Sequence, residues 1–237
     1  MEKISSLFII ISAICASVIF TAPVKRSIDL NNPCFVLAEQ TPSPSNGVPL
    51  SKSIKDLIAR TSGLKIEAEN IQTYLVNNGA ISSAKEQKLK DYNGWIDDDK
   101  FDATAEQKLA AVEQKISALK AHFHLIAEHL LYINQARTNG QIAEISGEAE
   151  TRQKLQDYET ELESAMCSLK IAILSSGSDV TSSVSESDLD SLFLLLNSPL
   201  ENDTQRTYIA VQDGVQLMEF LNTIYKEIEL SLDDTEA

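Results

Sequence analysis

Four long stretches of the sequence repeat apolar residues every three or four positions, and this pattern constrains the fold more than any other feature. Such spacing predicts amphipathic helices, each with one apolar face. The predicted helices are A (51–77), B (104–137), C (148–174) and D (203–232). Because each helix must bury its apolar face against the others, the sequence predicts an all-α fold built as a four-helix bundle over residues 51–237.

The lengths of the connections between these helices predict how they are joined. Helices B and C are separated by about ten residues, which makes them antiparallel neighbours. The A–B link, which is polar over 80–100, and the C–D link have roughly 25 residues each, and an extended chain of that length reaches about 80 Å. A 27-residue helix is only about 40 Å long. Both links can therefore cross the bundle, and the prediction is a long-chain, up-up-down-down bundle with two long crossover loops.

The amino terminus indicates export from the cell. Residues 7–20 form an uncharged, mostly apolar run that follows Lys3 and is too short to span a bilayer. We interpret residues 1–22 as a signal peptide with an uncertain cleavage point and residues 23–50 as an N-terminal extension, so the chain is expected to be secreted and extracellular. A signal anchor is one alternative. A bacterial lipoprotein attached through Cys15 is another, although Ile14 stands where a small residue is preferred.

Charge and cysteine content narrow the possible partners and the compartment. The chain has 35 acidic and 20 basic residues, a formal net charge of −15, which disfavours nucleic acid and anionic membranes as partners. Outside the signal peptide only Cys34 and Cys167 remain, an even pair that usually forms a disulfide in a secreted chain; two unpaired thiols are the alternative. Asn202 begins the only N-glycosylation sequon.

The sequence offers no pattern for catalysis or for a cofactor. It has no glycine-rich phosphate loop, no nucleophile elbow and no C-x-x-C pair. The three histidines, His122, His124 and His129, lack the i, i+4 spacing of a metal-binding pair on one helix, so they are expected at the surface or the rim. We therefore expect no enzyme activity, no metal and no cofactor.

Two aromatic residues, Trp95 and Tyr208, have two interpretations each. Trp95 lies in a polar segment near Phe101 and either anchors an interface or fixes the A–B loop to the bundle. Tyr208, at the start of helix D, has the same alternatives, and its place on the apolar stripe favours the core.

Three stretches resemble the interleukin-6-type helical cytokines, in particular the branch of ciliary neurotrophic factor, cardiotrophin and leukaemia inhibitory factor. The first is 51–60 running into 71–76 and Gly79, which is similar to the first helix of that branch. The second is Trp95 followed by 106–109 and 118–126, which is similar to the family's tryptophan and the apolar face of its second helix. In the third, Cys167 and Cys34 are placed like a disulfide of that family. The likeness extends from Cys34 to Leu232.

This resemblance implies a secreted, monomeric ligand that assembles class I cytokine receptors and so activates Janus kinases. It implies a face on helices A and C for the shared glycoprotein 130 receptor and a second surface, at the start of helix D and the A–B loop, for another signalling receptor. The residues expected on the first face are Arg60, Lys65, Glu69, Arg152 and Gln156, and those on the second are Trp95, Phe101, Arg206 and Tyr208.

One departure from the family concerns the second receptor. The branch carries a Phe-x-x-Lys pair at the start of helix D, whereas this chain has Thr-Gln-Arg-Thr-Tyr over 204–208. Arg206 and Tyr208 could supply the cation and the aromatic ring in another order, and the identity of the second receptor stays open. The competing interpretation of the whole chain is a non-signalling secreted bundle that carries a lipid or another small molecule.

Overall fold

Helices make up the regular structure of the computed structural model, which describes residues 28–34, 49–90, 111–138, 147–184 and 203–233. Within these ranges there are five α-helices and no strand. The all-α prediction is confirmed for this part of the chain. The helices are α1 (Leu50–Asn77), α2 (Ser83–Lys90), α3 (Val112–Thr138), α4 (Glu148–Ser175) and α5 (Asp203–Asp233).

Four of these helices lie where the apolar periodicity predicts helices A to D. The ends of α1, α4 and α5 differ from the predicted ends by at most one residue. Helix α3 corresponds to helix B, and the predicted start of helix B at residue 104 lies outside the described residues. The end of α1 at 77–79 has a local cause, because Gly79 adopts a left-handed φ of 70° and Ile81 N donates to Leu75 O at 3.1 Å.

Helix α2 was not predicted from the sequence, which suggested only a polar connection there. Of its eight residues, Leu89 alone is buried, so no apolar period marks it. An ion pair between Lys90 and Glu86, 2.9 Å apart, supports it at the i, i+4 spacing. Helix α2 packs against α5 and covers part of that helix.

Ion pairs and hydrogen bonds fix the direction of α1 relative to its neighbours. Helix α1 packs most extensively against α5 and also against α4. Lys55 lies 3.7 Å from Glu229 and Lys65 lies 3.2 Å from Glu219, so residue numbers rise along α1 as they fall along α5. The two helices are antiparallel. Helix α1 is also antiparallel to α4, because Asp56 contacts Ser168 near one end and Tyr74 contacts Gly147 near the other.

Helix α3 also packs against α4 and α5. Its residue His129 contacts Tyr158 of α4, and Arg137 O accepts a hydrogen bond from Arg152, so these two helices are antiparallel. His122 stacks edge-on against Tyr225 of α5. The interior contains apolar side chains from all four long helices, including Leu57 and Ile71 of α1, Leu119 and Phe123 of α3, Leu162 and Met166 of α4, and Val211 and Leu221 of α5.

Candidate functional site

The expected receptor face on helices A and C contains one continuous polar contact between α1 and α4. Arg60 Nε donates to Asp56 Oδ2 at 2.9 Å, and the same carboxylate oxygen accepts a hydrogen bond from Ser168 Oγ at 2.7 Å. Arg60 is half-buried and Asp56 is exposed. These three side chains link the two helices; Ser168 is buried, and Asp56 and Arg60 form the part of the contact that a partner can reach. The sequence did not single out Asp56 or Ser168, since no pattern in one helix shows which residue of another helix lies opposite.

Lys65 and Glu69 lie on another side of α1. Lys65 Nζ is 3.2 Å from Glu219 of α5 and 3.9 Å from Glu69, so its charge is directed towards α5 and not towards α4. Glu69 is exposed. The structure therefore does not group Lys65 with Arg60 on a single α1–α4 face.

Arg152 and Gln156 lie near the opposite end of the α1–α4 contact. Arg152 donates to Glu148 at 2.9 Å and to Arg137 O of α3, so it is directed towards α3. Gln156 is exposed. Lys154, two residues from Arg152 on α4, lies over the ring of Tyr74 of α1. Tyr74 follows Arg60 by 14 residues, so Arg152 is roughly 20 Å from Arg60 along the α1 axis. The five residues expected to form one face are thus divided among three places.

The start of α5, expected to form the second receptor surface, is mostly buried. Tyr208 is only 2% exposed, and burial raises the pKa of its hydroxyl. Helix α2 covers this region, since Gln212 Nε2 donates to Leu89 O at 3.3 Å. Tyr208 therefore belongs to the core, as its place on the apolar stripe favoured. This corrects its assignment to the receptor-contact residues. Arg206 is half-buried.

A disulfide joins Cys34 to Cys167 and holds the segment 28–34 against α4. The sulfurs are 2.13 Å apart and the Cα atoms 4.9 Å apart. Asn31 adds two contacts: its carbonyl accepts from Lys170 Nζ at 2.5 Å, and its side-chain oxygen accepts from Ser182 N at 2.9 Å. Of the two alternatives for the cysteines, the structure contains the disulfide.

A buried ion pair connects α3 with α4. Arg137 Nε lies 2.7 Å from Glu159 Oε1, and their side chains are 6% and 1% exposed. Burial raises the pKa of the Glu159 carboxyl, and the hydrogen bond and charge of Arg137 act in the opposite direction. The pair connects α3 with α4 in the protein interior, since neither side chain reaches the surface.

Two of the three histidines are buried between α3 and α5, which corrects the expectation that they lie at the surface or rim. His122 and His129 are 0% exposed, and burial lowers the pKa of each to about 3. His129 Nε2 is 3.3 Å from the Tyr158 hydroxyl. The sequence carried the signal, because His122 and His129 follow the stripe residues Leu119 and Ile126 by three positions each.

The absence of a side chain at Gly214 of α5 leaves room for His129 and Tyr158. A Cβ atom added at Gly214 would lie 2.5 Å from the Tyr158 hydroxyl and 2.7 Å from His129 Nε2. These separations are far below ordinary van der Waals contact, so the glycine allows the backbone of α5 to approach the histidine–tyrosine pair. Close packing against His129 and Tyr158 thus explains why a glycine stands in the interior of this long helix.

Trp95, Phe101 and Asn202 lie outside the described residues. Within the described ranges, no cluster of three or more His, Cys, Asp and Glu side chains is arranged to hold a metal ion. In the same ranges, none of the helices combines the length and the apolar character required to cross a membrane. No family model, no curated protein and no solved structure matches the chain.

Proposed function

We propose that the protein is a secreted helical cytokine that binds and assembles class I cytokine receptor chains. The proposal includes the finer fold, an up-up-down-down bundle in which α1, α3, α4 and α5 are helices A to D. Its main support is the pattern of contacts: α1 and α3 each pack against both α4 and α5. All four contacts are antiparallel; for α3 and α5 this follows because His122 lies against Tyr225 and His129 lies against Gly214. In such a bundle the parallel pairs, A with B and C with D, lie on the diagonals.

The connections between the helices support the same arrangement. Only nine residues separate Thr138 from Glu148, whereas long segments connect α1 to α3 and α4 to α5. Long links are needed where consecutive helices run in the same direction, because the chain must return along the bundle. The disulfide between Cys34 and Cys167 is compatible with an oxidising, extracellular environment.

The most suitable described surface for a receptor is the Asp56–Arg60–Ser168 contact. It is polar, it joins two helices, and its Asp56 and Arg60 side chains are accessible from solvent. Arginine is among the residues that most often dominate interface energies, because its planar guanidinium donates several hydrogen bonds. Arg60 is therefore the first residue to change.

The test is binding of the oxidised, full-length secreted chain to a panel of class I cytokine receptor ectodomains, including the shared glycoprotein 130 receptor. We expect saturable binding to two different ectodomains, since a cytokine acts by bringing receptor chains together. We also expect Arg60→Ala to weaken binding to one of them at least about 30-fold, which corresponds to an interface hot spot of about 2 kcal/mol.

The matched control is Lys226→Ala, which removes an exposed cation from a different helix. Equal helical circular dichroism would show that both variants fold. An absence of binding across the whole panel, from a folded chain, would refute the cytokine proposal and favour the small-molecule carrier. Equal losses in the two variants would refute the assignment of Arg60 to the interface.

A further inference from the structure

The contact between α3 and α5 contains two histidines that the proposed receptor function does not use. We use the name histidine seam for a set of five residues: His122 and His129 on α3, and Gly214, Phe220 and Tyr225 on α5. The ring of His122 is 6.1 Å from that of Phe220 and 5.4 Å from that of Tyr225, both edge-on. His129 approaches the backbone of α5 at Gly214. Both histidines are fully buried.

We propose that the histidine seam is an acid-sensitive contact, in which protonation of His122 and His129 separates α3 from α5 while α1 stays packed on α5. A positive charge on a buried imidazole must be hydrated or paired, and separation of the two helices is the direct way to admit water. The inference concerns the fold itself and does not depend on the receptor proposal.

The aromatic contacts of His122 on α5 offer no negative charge to compensate a positive one. They are made with Phe220 and Tyr225, and burial raises the pKa of the tyrosine. Within the described part of the chain, neither ring nitrogen of His122 has a hydrogen-bond partner. Protonated His122 would therefore be strongly unfavourable in the closed seam.

The surroundings of His129 are more polar. Tyr158 of α4 shares a hydrogen bond with its Nε2 atom, and burial together with the charge of Glu67 on α1 raises the pKa of Tyr158. On α5 the fully buried Asp213 precedes Gly214. Further along α3, Arg137 is already paired with Glu159. Because the Tyr158 hydroxyl lies within hydrogen-bond distance of His129 whereas the ring nitrogens of His122 have no such partner, we expect His122 to be the more sensitive of the two.

Packing makes this seam the part of the bundle where separation is easiest. Helix α5 packs far more extensively on α1 than on α3. Asn222 adds three hydrogen bonds from α5 to α1, to Ile58 O, Thr61 Oγ1 and Ser62 Oγ, at 2.8, 2.9 and 3.1 Å. Local opening follows the weaker contact first.

The sign of the pH effect follows from linkage. Burial lowers the pKa of each histidine from 6.5 to about 3, so the open or unfolded chain binds more protons than the closed chain between these values. Stability therefore falls as the pH decreases from 6.5 towards 3. At pH 5, with an open-state pKa of 6.5, each histidine multiplies the equilibrium constant for unfolding by about 30, and both together by about 1,000.

The first experiment compares urea unfolding at pH 7.5 and pH 5.0 for the oxidised full chain and for the double variant His122→Leu/His129→Gln. Neither replacement side chain can take up a proton in this range, and the glutamine can still hydrogen-bond to Tyr158. Every carboxylate is common to both proteins, so their difference isolates the histidines. We expect the double variant to lose most of the 1,000-fold pH effect, and His124→Gln, a half-buried histidine of the same helix, to retain it. Equal pH dependence in the double variant and the unchanged chain would overturn the proposal.

The second experiment locates the opening by hydrogen exchange and needs no variant. At pH 5, after correction for intrinsic exchange rates, we expect segment 112–138 to lose protection while segment 50–77 keeps it. Simultaneous loss in both segments would mean global unfolding and would overturn the local mechanism.

Nuclear magnetic resonance titration of the histidine rings gives an independent test if the double variant does not fold. Titration of the His122 and His129 rings near pH 6.5 in the closed chain would also overturn the proposal.

Discussion

Replacing Gly214 by alanine tests the packing of α3, α4 and α5 with a single methyl group. The new Cβ atom would lie 2.5 Å from the Tyr158 hydroxyl and 2.7 Å from His129 Nε2. Both side chains are 0% exposed, so neither can swing into solvent to relieve the clash. The methyl group must displace them into a filled core or push the helices apart.

The expected magnitude is the sum of three contributions. Overpacking of a core costs about 1–3 kcal/mol, and loss of the hydrogen bond between His129 and Tyr158 costs about 1 kcal/mol. Replacing glycine by alanine inside a helix stabilises it by about 1 kcal/mol. We therefore expect Gly214→Ala to lower the free energy of unfolding by about 1–3 kcal/mol.

Gly63 of α1 is the matched control, because it is also inside a long helix but an added Cβ there meets no atom within 4 Å. Gly63→Ala should raise the free energy of unfolding by about 0.5–1 kcal/mol through helix propensity alone. The assay is urea unfolding of the oxidised chain followed by circular dichroism at neutral pH. The two glycine substitutions should thus have opposite signs.

Tyr158→Phe removes the hydroxyl that clashes with the new methyl group, so it should partly restore the stability lost in Gly214→Ala. In a double-mutant cycle, Gly214→Ala should be less harmful in the Tyr158→Phe background than alone, since one of the two clashes is gone. If Gly214→Ala stabilised the chain as much as Gly63→Ala does, or if its effect were additive with Tyr158→Phe, the described packing at this junction would be refuted.

Three further substitutions test other contacts by the same urea assay. Arg137→Met leaves the buried Glu159 carboxylate unpaired and should cost about 3–5 kcal/mol, most of which the addition of Glu159→Leu should restore; a loss below 1 kcal/mol would mean that the pair is hydrated. Cys34→Ser with Cys167→Ser opens a loop with a sequence separation of 133 residues and should cost about 5 kcal/mol on a chain-entropy treatment, an effect that a reducing agent should reproduce in the unchanged chain. Asn222→Ala removes three hydrogen bonds to α1 and should cost about 1–3 kcal/mol, and a change within 0.5 kcal/mol would contradict these contacts.

Much of the helical architecture could be predicted from the sequence, because apolar spacing is a local property. The stripe that includes Leu57, Leu64 and Ile71 both marks α1 and forms its buried side. Tyr208 was correctly favoured as a core residue for the same reason. Helix α2 was not predicted because Leu89 is its only buried residue, and a single apolar position cannot define a helical period.

The candidate site was harder to predict, because a polar residue does not reveal its neighbours on other helices. Arg60 and Lys65 are both charged residues of one helix, yet the first contacts a carboxylate bonded to α4 and the second pairs with α5. His122 and His129 have the spacing of core residues, but their polar type favoured the surface. Only the helices packed against α3 decide between these alternatives.

By itself, therefore, the sequence determined where the long helices lie, which side of each is apolar and which two cysteines could pair. Tertiary structure alone decided that Cys34 and Cys167 meet, that α2 covers the start of α5, and that two histidines are enclosed opposite Gly214. The physical reason is that helix formation depends on residues within a few turns, whereas burial and charge pairing depend on side chains that are distant in the chain and adjacent in space.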